Sequence, residues 1–213
     1  NIVRERMFDE KKRLCYHGYD AERRIFWADP ATGLSKNFWL RSIGWLAVAL
    51  ADLSQILPEG DGRDRIVAVF REVLEGISEY ADPDTGMYYQ VVDQGGREGN
   101  YLETSGSSMI AYAALKGARL QLLPEVFREK GERTFRGIAE HKLSFTGKEL
   151  NLGGICLVAG LGPVENTRRD GSYAYYISEP VVENDAKGVA PFILCYTEIK
   201  RLYNGNTKAT QRG

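Results

Sequence analysis

The chain has 213 residues, of which 43% are hydrophobic and 27% charged, with a formal net charge of −1. That balance is ordinary for a globular protein and is enough for one large domain, so residues 1–213 are read as a single domain. The absence of any block of like charge argues against nucleic-acid and membrane-surface partners, and no apolar run approaches the ~18 residues of a membrane span.

The first six residues, Asn1 to Arg6, are too charged for a signal peptide. No methionine precedes them, and Ile2 to Lys12 already reads as helix, so the chain is expected to be part of a longer protein. Cys15, Cys156 and Cys195 are odd in number and form no C-x-x-C pair. They read as buried thiols in a reducing compartment, which makes the expected location cytoplasmic.

Two kinds of helix then alternate. Phe38 to Leu57, Thr104 to Leu123 and Lys187 to Tyr203 are rich in alanine, glycine and bulky apolar residues. Between them, Arg63 to Ala81 carries one apolar stripe (Ile66, Phe70, Val73, Leu74, Ile77, Tyr80), and Glu125 to Leu143 repeats the pattern more weakly. An inner ring of helices buried on two sides and an outer ring buried on one side would give this alternation. Internal echoes agree. Gln55-Ile56-Leu57-Pro58-Glu59 returns as Gln121-Leu122-Leu123-Pro124-Glu125, and the turn Asp29-Pro30-Ala31-Thr32-Gly33 returns as Asp82-Pro83-Asp84-Thr85-Gly86. Met87 to Val92, Leu150 to Val158 and Ser172 to Ile177 read as short β pieces, too few for a sheet-based core. They are expected to be hairpins and lids at one end of a helical ring.

The segment Asn37-Phe38-Trp39-Leu40-Arg41-Ser42-Ile43-Gly44-Trp45 sets two tryptophans and an arginine at the mouth of an otherwise nearly uncharged helix. Arg41 and Trp45 are four apart and share a helix face. A guanidinium beside an indole suits a sugar acid, the ring stacking on the aromatic and the carboxylate taking the planar fork. The bland alternative makes the tryptophans core and Arg41 a snorkelling cation. His17, in Tyr16-His17-Gly18-Tyr19-Asp20, is one of two histidines and could donate to a sugar hydroxyl or carboxylate. Glu103 stands before the third long helix as a candidate acid, base or hydroxyl acceptor, with Thr104 or Ser105 as N-cap. The acids Glu179, Glu183 and Asp185 read as structural, since acidic residues before a helix stabilise its dipole. Phosphate-loop, dinucleotide, H-E-x-x-H and G-x-S-x-G motifs are absent, and two histidines with scattered cysteines make no metal site, so neither cofactor nor metal is expected.

Y-H-G-Y-D (16–20), W-A-D-P-A-T-G-L (27–34), F-W-L-R-S-I-G-W (38–45), D-P-D-T-G-M-Y-Y-Q-V-V-D-Q (82–94), N-Y-L-E-T-S-G-S-S-M (100–109) and Y-I-S-E-P-V-V-E-N-D-A-K-G-V-A-P-F (176–192) closely resemble the unsaturated rhamnogalacturonyl hydrolases of glycoside hydrolase family 105, kin to the unsaturated glucuronyl hydrolases of family 88. The resemblance runs from Tyr16 to Tyr203. It implies an all-α, (α/α)₆ barrel of which this chain is the C-terminal half, acting on pectin-derived oligosaccharides that end in a 4,5-unsaturated uronic acid. The implied reaction hydrates the vinyl ether, with a carboxylic acid protonating C4 and water adding at C5. By motif, His17, Trp39, Arg41 and Trp45 would contact the substrate, with the tryptophans as stacking walls. Ser42-Ile43 departs modestly from the family pattern. The family's catalytic aspartate lies upstream of Y-H-G, where this chain has only Glu5, Asp9 and Glu10, on a helix that matches no catalytic motif. The expectation is therefore that the catalytic acid is outside the chain and that the chain pairs with the missing N-terminal half or with itself. Two other readings stay open. One is an inverting glycosidase that uses Asp20 and Glu103, which requires carboxylates ~6.5–9.5 Å apart. The other is a non-catalytic carbohydrate-binding module.

Overall fold

The computed structural model describes residues 2–210, with side chains to 203. Five long helices carry the fold: α2 (Leu40–Ile56), α3 (Asp61–Ser78), α4 (Thr104–Arg119), α5 (Val126–Lys142) and α7 (Ala186–Thr210). Two short helices are α1 (Ile2–Met7) and α6 (Tyr173–Ser178). Three two-stranded antiparallel ladders complete the described chain: β1 (Phe8–Asp9) with β2 (Leu14–Cys15), β3 (Leu143–Thr146) with β4 (Glu149–Leu152), and β5 (Ile155–Cys156) with β6 (Val181–Val182).

Helix α4 is the centre. Every residue from Thr104 to Ala118 is buried, because α2, α5 and α7 all pack on it. Its small residues make that possible. A Cβ on Gly106 would sit 2.4 Å from Leu40 Cγ, and one on Gly44 would sit 2.9 Å from Met109, so α2 and α4 touch almost backbone to backbone. Farther along, Asp52 of α2 takes bonds from Tyr112 Oη at 2.8 Å and Lys116 Nζ at 2.7 Å. The two helices therefore run parallel. On the other side Cys195 packs with Ala111 and Leu115, and Glu198 takes Arg119 Nε at 2.5 Å and Nη2 at 2.9 Å, so α7 is parallel as well. Helices α3 and α5 return antiparallel on the outside, each burying one stripe: Phe70, Val73, Leu74 and Ile77 from α3, and Phe127 and Ile138 from α5. This is an arc of an α/α toroid with three inner helices.

The expected inner and outer helices thus stand, with ends shifted by a few residues. The repeated turn is also real. Asp29 Oδ1 accepts from Ala31 N, Thr32 N and Thr32 Oγ1, and Asp82 Oδ1 accepts from Asp84 N, Thr85 N and Thr85 Oγ1. Gly33 and Gly86 close the two turns at φ of 80° and 72°, where a side chain is strained. Two expectations fail. Helix α1 stops at Met7 because Asp9 turns the chain through Lys11 N and Lys12 N. Ser172 to Ile177 is not a strand: Ser172 accepts from Tyr175 N and caps α6. In addition, Met87 to Val92 pairs only through the isolated bridges Trp39–Val91 and Tyr89–Leu102.

The two lateral helices of the arc expose apolar side chains. Trp45, Leu53 and Ile56 do so on α2, and Ile193, Leu194 and Tyr196 on α7. A groove of about 660 Å³ runs between α5, α7 and the β3–β4 hairpin, lined by Phe135, Leu150, Phe192 and Tyr196 among others. All three cysteines are free and buried. No helix among the described residues is long and apolar enough to cross a membrane.

The α2–α4 contact gives a direct test. Gly106→Ala forces a methyl into Leu40 and is expected to cost about 1–3 kcal/mol. Urea unfolding checks this, as a lower midpoint with an unchanged slope.

Candidate active site

The parallel inner helices bring the N-termini of α2 and α4 side by side, and β5 crosses above them. Glu103 is the N-cap of α4 and is fully buried. Its carboxylate accepts from Ser105 N at 3.1 Å, Gly106 N at 2.7 Å, Ser105 Oγ at 2.7 Å and Cys156 N at 3.0 Å. The cap is thus the glutamate, not Thr104 or Ser105, and four donors consume its oxygens. Asp20 is spent in the same way, since its oxygens accept from the backbone N–H groups of Glu22, Arg24 and Ile25, which hold its carboxyl below the usual range. Both carboxylates of the Asp20/Glu103 pair act as loop and cap fasteners, which weighs against an inverting glycosidase built on them.

Arg41, in the first turn of α2, crosses the contact toward α4. Nη1 donates to Ser105 Oγ at 3.2 Å and to the Cys156 carbonyl at 2.7 Å. The residue is only 2% exposed, yet no carboxylate among the described residues lies in ion-pair range of it. Nε and Nη2 have no hydrogen-bond partner among the described residues. A buried guanidinium bonded directly only to a hydroxyl and a carbonyl has the chemistry to take a carboxylate on Nε and Nη2.

The guanidinium lies 5.1 Å from the Trp39 ring centroid. Trp39 is itself buried, with His17 at 4.6 Å and Tyr176 stacked at 6.0 Å and 12°. It is a back wall rather than an open platform. The open indole is Trp45, 51% exposed. It lies one turn along α2 from Arg41, which is buried against α4.

His17 Nδ1 lies 2.6 Å from Tyr176 Oη. Burial pushes the imidazole down to about 4 and the phenol well above its ordinary value. Both groups stay uncharged near neutral pH, and when the phenol is the donor to Nδ1 the ring carries its own hydrogen on Nε2. The structure thus gathers three of the sequence candidates, His17, Trp39 and Arg41, and leaves Trp45 one turn away. Four further residues hold the cluster: Tyr176, Ser105, Cys156 and Gln90. Nothing in their spacing marks them, since they act through buried hydrogen bonds between segments far apart in sequence. No grouping of His, Cys, Asp and Glu suited to a metal occurs among the described residues.

Comparison with known proteins places the chain in a family. The family model described as Glycosyl Hydrolase Family 88 matches residues 1–203. The protein Atu3128 of Agrobacterium fabrum is 41% identical over 190 residues, which cover 87% of this chain and 81% of that protein. A family 105 glycoside hydrolase of C. acetobutylicum superposes with a TM-score of 0.90 at 42% identity, over 94% of this chain and 56% of its own. An unsaturated glucuronyl hydrolase from Bacillus sp. GL1 shares the fold, with a TM-score of 0.65 at 12% identity over 93% of this chain and 50% of its own. The chain spans about half the length of the solved structures it matches. It belongs to glycosyl hydrolase family 88.

Proposed function

We propose that this chain forms the uronate-gripping wall of a hydrolase that acts on oligosaccharides ending in a 4,5-unsaturated uronic acid. The observation that carries the reading is Arg41, a buried guanidinium with no carboxylate in ion-pair range among the described residues and with Nε and Nη2 unused. The sugar carboxylate completes that fork. Trp39 backs the guanidinium, and His17 gives the Nε2–H to a sugar oxygen. The finer substrate we assign is a rhamnogalacturonan-derived disaccharide, on the sequence resemblance.

In the reaction we assign, a carboxylic acid protonates C4, water adds at C5, and the hemiketal opens to expel the neighbouring sugar. Glu103 and Asp20 are committed to backbone N–H groups, so that acid is contributed by a part of the toroid outside these residues. The same part would cover the apolar faces of α2 and α7. His17 is neutral at working pH and serves as a donor, not as the proton source.

Two outcomes follow. In calorimetry the purified chain should bind the unsaturated rhamnogalacturonan disaccharide and not its uronate-reduced, neutral counterpart, while the ultraviolet absorbance of the double bond persists. Equal affinity for both sugars would overturn the reading of Arg41, and loss of absorbance would overturn the external acid. The second outcome concerns pH. His17 stays neutral in the fold until about pH 4, whereas an unfolded histidine takes up its proton near 6.5. Stability is therefore full above 6.5 and is lost as pH falls toward 4, by on the order of 3 kcal/mol. His17→Gln removes this component. The difference in melting temperature between chain and variant should shrink as pH drops from 7 to 4, and a constant difference would contradict a buried neutral imidazole.

A further inference from the structure

The contacts that fix His17, Trp39 and Arg41 converge on one uncharged side chain. Gln90 is fully buried. Its Oε1 accepts from Trp39 Nε1 at 3.2 Å. Its Nε2 donates to the Tyr176 carbonyl at 3.2 Å and lies 3.2 Å from Cys156 Sγ. Tyr176 holds His17 through its hydroxyl, and the Cys156 carbonyl holds Arg41. One amide thus bonds to Trp39 directly and to the residue behind each of the other two groups. Its backbone joins in, with Leu40 N donating to Gln90 O at 3.0 Å, where α2 begins, and Gln90 N donating to Tyr101 O at 2.9 Å.

The amide's orientation is set by its partners. The indole N–H needs an acceptor and the Tyr176 carbonyl needs a donor, so a flipped amide would fail at both ends. Few side chains can meet these demands together. Methionine fills the space and satisfies neither partner. Glutamate satisfies both only while protonated, with one acceptor oxygen and one O–H. An ionised carboxylate would instead face the Tyr176 carbonyl.

We propose that Gln90 is the positioning residue of the uronate wall. Through Trp39 it sets the pitch of the ring behind the guanidinium, and through Tyr176 and Cys156 it sets the separation of His17 from Arg41. The inference rests on the function proposed above, in that the positioned groups are the sugar-binding ones.

The test uses the whole chain and the unsaturated rhamnogalacturonan disaccharide as probe. The chain, Gln90→Met and Gln90→Glu are compared by calorimetry and by the nitrogen–proton resonances of the Trp39 indole and the His17 ring. Gln90→Met should weaken binding at least tenfold and shift both resonances. Gln90→Glu guards against misfolding of the first variant. It should bind within about threefold of the unaltered chain at pH 5 and at least tenfold more weakly at pH 8, with both resonances moving over that range, while the unaltered chain stays flat. Resonances that stay put in both variants, or a Gln90→Glu affinity as flat with pH as that of the unaltered chain, would overturn the proposal. If the unaltered chain fails to bind the disaccharide, the uronate reading falls, and the positioning role is then decided by the resonances alone.

Discussion

A buried guanidinium and a buried carboxylate, joined through one serine hydroxyl, hold the site together. Arg41 Nη1 donates to Ser105 Oγ, and Ser105 Oγ donates to Glu103. Neither charge could be buried alone, because desolvation would cost several kcal/mol. The hydroxyl lets them share one environment without meeting, so each keeps a separate task. Glu103 closes the N-terminus of α4 and pins β5 through Cys156 N. Arg41 is held at two points and left with the other half of its fork unused. A direct ion pair would have been a fastener and nothing more.

The architecture serves this arrangement. Three parallel inner helices place the starts of α2 and α4 at one end, where the loops that carry His17 and Gln90 and the short helix α6 that carries Tyr176 also gather. Gly44 and Gly106 let the helices approach closely enough for a side chain of α2 to reach the cap of α4. At the opposite end, bonds from Tyr112 and Lys116 to Asp52 and the Arg119–Glu198 pair lock the same helices in register. The apolar lateral faces of α2 and α7 remain, and they fit an arc that covers about half of its solved relatives.

Much of this was legible in the sequence. Buried inner helices announce themselves by unbroken small and apolar composition, outer ones by a single stripe, and the Asp-Pro turns by their aspartate and glycine. The Trp39–Arg41 segment stood out because charge is costly in such a helix. What was not legible shares one cause, which is that it depends on contacts between remote segments. Glu103 looked like chemistry and proved to be a cap, because its donors come partly from Cys156. Ser172 to Ile177, read as a short β piece, is a helix because its serine caps it. Trp39 was expected to be an open stacking wall and is enclosed by His17 and Tyr176, partners more than 20 and 130 residues away. Gln90 and Tyr176 lie within the resemblance motifs, yet nothing in the sequence assigns them a role; only the fold shows that they share Trp39 as a partner.

The central claim is that Arg41 is completed by the carboxylate of a sugar. A crystal structure of the chain with the unsaturated rhamnogalacturonan disaccharide tests it most directly. The account requires the uronate oxygens within hydrogen-bond distance of Arg41 Nε and Nη2, with Trp39 behind the guanidinium. A bound sugar whose carboxylate lies elsewhere, with the fork of Arg41 still unfilled, would contradict it.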